Sequence, residues 1–117
     1  MNKQQLIQIL EENDFELLEE CVEGKHSIYE GKIWLWFDYI GDKIKWYSED
    51  QFNSYEKFYE YSKEKIEILE KIFEDLLNRY PEIRDFIYRY EYEDCRVGYT
   101  NIYIYIEQWD DKYEIQS

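Results

Sequence analysis

Apolar residues recur along this chain with two periods, one helical and one of two. Near the start, "NKQQLIQILEEN" places Leu6, Ile7, Ile9 and Leu10 on one helical arc. Asn2 is suited to cap that helix and Asn13-Asp14 to end it. "FELLEECVE" is mixed: Phe15, Leu17, Glu19, Cys21 and Glu23 share one parity, Leu18 and Val22 the other, and a strand fits best. "GKHSIYEG" has the glycines and polar residues of a turn or short strand.

The strongest alternation is in "KIWLWFDYIGDKIKWYS". Ile33, Leu35, Phe37 and Tyr39 make one face; Trp34, Trp36, Asp38 and Ile40 make the other. Bulk on both faces predicts a strand central in its sheet. Gly41-Asp42 suits a tight turn, so strands near 32–40 and 43–48 are expected to pair as a hairpin. Ser48 to Gln51 and Asn53 to Glu56 both offer helix starts. From Tyr55 the positions Phe58, Tyr59, Ser62, Ile66, Leu69, Phe73, Leu76, Leu77 and Tyr80 form an amphipathic stripe of about seven turns. Pro81 stops it and opens a shorter helix with Ile83, Phe86, Ile87 and Tyr90 on one face. "YTNIYIYIEQ" returns to period two, which puts Ile102, Ile104 and Ile106 opposite Tyr103 and Tyr105. "WDDK" turns the chain toward a last edge strand, giving a second hairpin near 99–116 from strands near 99–108 and 112–116.

The order of elements predicts an α+β fold. A single small domain carries an antiparallel sheet, with one long and one or two shorter helices packed on one face. No repeat or linker divides the 117 residues. No apolar run reaches the ~20 residues of a membrane span, and the start lacks a signal peptide's apolar stretch. Cys21 and Cys95 lack CxxC spacing, so two thiols in a reducing cytoplasm are the simple expectation.

Composition changes the functional picture. Twenty-eight acids face 14 bases, for a net charge of −14. Such a field repels nucleic acid and anionic membranes and draws in basic proteins. Alanine is absent and Lys outnumbers Arg, as AT-rich codons dictate, which suits a bacterial or phage genome and makes the 14 tyrosines less telling. His26 is the one histidine, so a catalytic triad and a zinc finger are both disfavoured. The four glycines form no phosphate-binding loop. No metal or cofactor is expected, and with so many acids a chance carboxylate pair outweighs an active site.

Two acidic surfaces are candidates. The first combines carboxylates with aromatic rings: Glu91, Glu93, Asp94, Tyr103, Tyr105, Glu107, Trp109, Asp110, Asp111, Tyr113 and Glu114. Charge would steer a Lys- and Arg-rich partner, and rings would anchor it. The second is a rail on the long helix, Glu56, Glu60, Glu64, Glu67, Glu70 and Glu74, interleaved with Lys57, Lys63, Lys65 and Lys71. The expectation is a non-catalytic acidic inhibitor that covers the nucleic-acid-binding surface of a basic cytoplasmic protein, as a nucleic-acid mimic in phage or mobile-element counter-defence does (anti-CRISPR or anti-restriction). An immunity protein against a nuclease toxin shares this physics. A small enzyme or ligand-binding domain, with an aromatic and carboxylate pocket around Trp34, Trp36 and Trp46, is a different class. Composition leaves a homo-oligomer open.

Overall fold

The computed structural model describes residues 1–22, 33–93 and 100–106. Helix α1 (Lys3–Glu12) starts in a reciprocal capping box. The Gln5 backbone N–H donates to the Asn2 side chain, and the Asn2 N–H donates to the Gln5 side chain, both at 2.8 Å. At its end the Asn13 amide donates to the Ile9 carbonyl, and Asp14 takes a left-handed φ of 68° that swings the chain into β1 (Phe15–Val22).

Strand β1 settles its mixed parity with a bulge between Leu17 and Glu19. Before the bulge Phe15 and Leu17 stand opposite Tyr39 and Phe37; after it Glu20 and Val22 stand opposite Leu35 and Ile33. Glu20 is thereby carried to the inner side, where it forms an ion pair with buried Lys3 of α1.

Strand β2 (Ile33–Tyr39) is central, and its burial alternates strictly, with Ile33, Leu35, Phe37 and Tyr39 inside. It is followed by a 3₁₀ turn (Glu49–Gln51) and the long helix α2 (Tyr55–Arg79), which Ser54 caps by accepting the Lys57 N–H. A short helix α3 (Glu82–Phe86) leads into β3 (Ile87–Tyr92) and then β4 (Asn101–Ile106). The sheet order is β1-β2-β4-β3, with every neighbouring pair antiparallel.

The fold is α+β, as the element order predicts. One core joins Leu6 and Leu10 of α1, Leu69, Phe73, Leu76 and Leu77 of α2 and Ile83 of α3 to the inner face of the sheet. There Ile102, Ile104 and Ile106 are fully buried. Each such side chain contributes roughly 1.5–3 kcal/mol relative to exposure. Lys65 and Ser62 complete the buried stripe of α2. Burial lowers the Lys65 ammonium below the ordinary lysine value, and the Asp38 carboxylate opposes that shift.

Two expectations about secondary structure are corrected. Residues 43–48 do not pair with β2 as a hairpin; both sides of β2 are taken, by β1 and by β4. The chain bends at Gly41 and turns at Asp42-Lys43, and a Cβ on Gly41 would meet the Tyr39 ring and come within 2.9 Å of the Asp14 Cβ. Beyond it, Tyr61 of α2 supplies what a ladder would have supplied. Its hydroxyl donates to the Lys45 carbonyl at 2.5 Å and accepts the Tyr47 N–H at 2.8 Å. The helix begun at Pro81 is also shorter than expected. It stops at Phe86, and "IYRYEY" is a strand that puts Ile87, Tyr90 and Tyr92 on the core side. The second half of the hairpin near 99–116 lies outside the described residues, and β4 pairs with β2 and β3.

Candidate functional site

Burying one face of an antiparallel sheet turns every alternate residue to the other face. Register then assembles that outer face into rows across β1, β2, β4 and β3. One row is Glu19, Trp36, Tyr103 and Glu91; the next is Cys21, Trp34, Tyr105 and Arg89. At the end of the sheet Glu16 stands opposite Asp38 and Asp38 opposite Asn101, and the Glu93 N–H donates to the Asn101 carbonyl at 3.0 Å. Rings fill the middle strands in both rows, and in the first row a carboxylate flanks them on each edge.

The rings touch one another. Trp36 and Tyr103 stack with centroids 5.7 Å apart and planes within 8° of parallel. Trp34 meets Tyr103 edge-on at 5.8 Å, and Tyr88 tilts against Tyr105 at 6.1 Å. Trp34, Trp36, Tyr103 and Tyr105 are all partly buried yet stand outside the core cluster. The Trp36 indole N–H is shielded from solvent and has no acceptor among the described residues.

The polar groups fall into two sets. Asp38 accepts from the Thr100 hydroxyl at 3.0 Å and the Asn101 amide at 2.9 Å. Burial raises its carboxyl above the ordinary value; the Thr100 hydrogen bond opposes the rise and nearby Glu16 adds to it. Burial also pushes the Tyr103 hydroxyl up to about 12, together with the hydrogen bond it makes to the Glu93 carboxylate and the charge of that group. Arg89 forms an ion pair with Glu91, and its guanidinium lies 4.7 Å from the centre of the Tyr105 ring. Among the described strand residues of this face Arg89 is the one cation, set against Glu16, Glu19, Asp38 and Glu91, with Glu93 just past the end of β3.

The structure therefore brings together four of the residues expected in the first acidic surface: Glu91, Glu93, Tyr103 and Tyr105. Asp94, Glu107, Trp109, Asp110, Asp111, Tyr113 and Glu114 lie outside the described residues, as do His26 and Cys95. Glu19, Trp34 and Trp36 join the face although the sequence reading had not grouped them with it. For the tryptophans, parity opposite β2's buried residues was the available signal; Glu19 shares the parity of Phe15 and Leu17 and reaches this face only through the bulge, and only the strand order places these residues beside Tyr103.

The helix rail is a weaker surface. Glu56, Glu60, Glu64, Glu67 and Glu70 are exposed on α2, but so are Lys57, Lys63 and Lys71 among them. Glu74 is already engaged, accepting from the Tyr90 hydroxyl at 2.7 Å and from Arg84 at 3.0 Å. Those two hydrogen bonds, Tyr90 first, hold its carboxyl below the ordinary glutamate value.

The three tryptophans considered for a ligand pocket do not converge. Trp46 is 65% exposed and sits by Lys65 of α2, with the ammonium 5.3 Å from its ring centre, while Trp34 and Trp36 stand on the sheet. A hollow of about 350 Å³ lined by Leu77, Arg84, Ile87, Tyr88, Arg89 and Tyr90 has no carboxylate in its wall. Another, of about 380 Å³, joins Glu12 and Glu82 without an aromatic ring. Among the described residues no His, Cys, Asp or Glu cluster is placed to hold a metal ion.

Comparison with protein-family models, curated proteins and solved structures finds no match. Among the described residues no helix is long and apolar enough to cross a membrane.

Proposed function

We propose that this chain is a non-catalytic, acidic inhibitor of the cytoplasm. It seats the outer face of its sheet on a basic patch of another protein, one that otherwise holds nucleic acid. The observation that carries the reading is the row Glu19, Trp36, Tyr103, Glu91, in which stacked rings are flanked by carboxylates. Stable protein interfaces have that anatomy, with large rings desolvated at the centre and charge at the rim. A net charge of −14 adds long-range attraction toward a basic partner and repels nucleic acid itself. Occupying the patch is then sufficient for inhibition, and no bond need be made or broken. Counter-defence and toxin immunity differ in the target, and either would use this surface.

The test is capture from a host lysate by three immobilised proteins: the parent, Glu91→Lys with Glu93→Lys, and Glu60→Lys with Glu64→Lys. The parent and the helix variant are expected to retain a basic nucleic-acid-binding protein at low salt, release it at high salt, and block its binding to DNA or RNA. The sheet variant should lose at least about tenfold in affinity, the scale of two rim charges reversed against a basic patch. Loss in the helix variant with retention in the sheet variant would move the site to α2.

A further inference from the structure

The outer face contains, within the chain itself, a cation already bound by a ring and a carboxylate. Arg89 lies over Tyr105 and forms an ion pair with Glu91. One row along, the same ingredients recur. Trp36 and Tyr103 are stacked nearly parallel, and the row order puts Glu19 beyond Trp36 and Glu91 beyond Tyr103. Among the described residues, no Lys or Arg lies over either ring. Glu19 is exposed on the edge strand and stands directly opposite Trp36, on the side away from Tyr103.

We propose that Trp36 and Glu19 form a seat for an arginine side chain of the partner protein. The guanidinium lies on the indole face and donates to the Glu19 carboxylate, copying the arrangement of Arg89 on Tyr105 beside Glu91. The inference rests on reading the outer face as the surface for a basic partner, and it adds which basic residue the face selects. A guanidinium is planar, stacks on rings and bonds a carboxylate through two parallel N–H groups. An ammonium is compact and strongly hydrated and satisfies the carboxylate but gains less from the stack. Tryptophan offers the strongest cation–π face of the aromatic side chains. The occupant is thus an arginine, presented on a protein surface and not a free cation.

The test titrates the full chain with two dye-labelled peptides, hexa-arginine and hexa-lysine, at one ionic strength. Hexa-arginine is expected to bind about tenfold more tightly, the scale of one cation–π contact made on desolvation. That preference should shrink to about twofold in Trp36→Leu and in Glu19→Gln, and persist in Glu60→Gln, which removes the same charge from α2. Glu19→Gln changes an exposed side chain, so it keeps the test valid should Trp36→Leu disturb folding. Equal affinity for the two peptides, with both weakened by Glu19→Gln and neither by Glu60→Gln, overturns the arginine seat and leaves the basic-partner face standing. An arginine preference undiminished in Trp36→Leu and Glu19→Gln also overturns the seat. Equal weakening by Glu19→Gln and Glu60→Gln, with no arginine preference, overturns both the seat and the face, because only net charge is then being read.

Discussion

Tyr103 is the residue on which the site turns. It touches both tryptophans of the face, and the Glu93 carboxylate helps to hold its hydroxyl protonated. Burial and that carboxylate keep it protonated up to about 12, whereas an unfolded tyrosine titrates near 10. Between those values the unfolded chain gives up this proton and the folded chain keeps it, so the contribution to stability is complete below pH 10 and lost as pH rises through 12. Carbon NMR of the tyrosine rings should find Tyr103 still protonated at pH 11, and Glu93→Gln should bring its titration lower. Titration of Tyr103 near 10 in the folded protein would show that the ring is not covered and that Glu93 does not bond it. The parity of Tyr103 was legible from "NIYIYI" because a strand with buried isoleucines allows the tyrosines only one other side. Its partners were not legible, since Glu93 and Trp36 reach it through strand order, which no local pattern encodes.

At the scale of elements, α1, α2, β2 and β4 were readable because each repeats one period for long enough to exclude the other. β3 was not. "IYRYEY" offers Ile87 and Tyr90 at helical spacing after Ile83 and Phe86, and it also alternates through Tyr88, Tyr90 and Tyr92. Tertiary contact decides for the strand. Tyr90 packs on Phe73 with centroids 5.0 Å apart and donates to Glu74, which also holds Arg84 of α3. Residues 43–48 failed for the opposite reason: their alternation is real, but Tyr61 meets their backbone groups before a strand can. The clip between β3 and α2 can be tested through Tyr90→Phe. The variant should lose about 1 kcal/mol in urea unfolding, the worth of one hydrogen bond. The Glu74 carboxyl should also titrate higher, toward the ordinary glutamate value. Because its folded value is depressed, the parent's gain from this group is present above the unfolded value near 4.5 and lost as pH falls through the folded one. An unchanged Glu74 titration in Tyr90→Phe would mean that Arg84, not Tyr90, sets it.

For the molecule as a whole, the sheet separates two tasks. Its inner face closes the core with three helices, and its outer face keeps rings and carboxylates that the core does not use. Helix α2 carries more acids, but its lysines are spaced among them and offset much of their field. A basic partner is expected to meet the sheet and not the helix. Backbone and indole NMR shifts, followed while hexa-arginine is added at low salt, test it most directly. The account predicts the largest changes at Trp34, Trp36, Tyr103, Tyr105 and Glu91, with α2 nearly silent. Changes concentrated at Glu60, Glu64 and Glu67, with the two indoles unmoved, would contradict it.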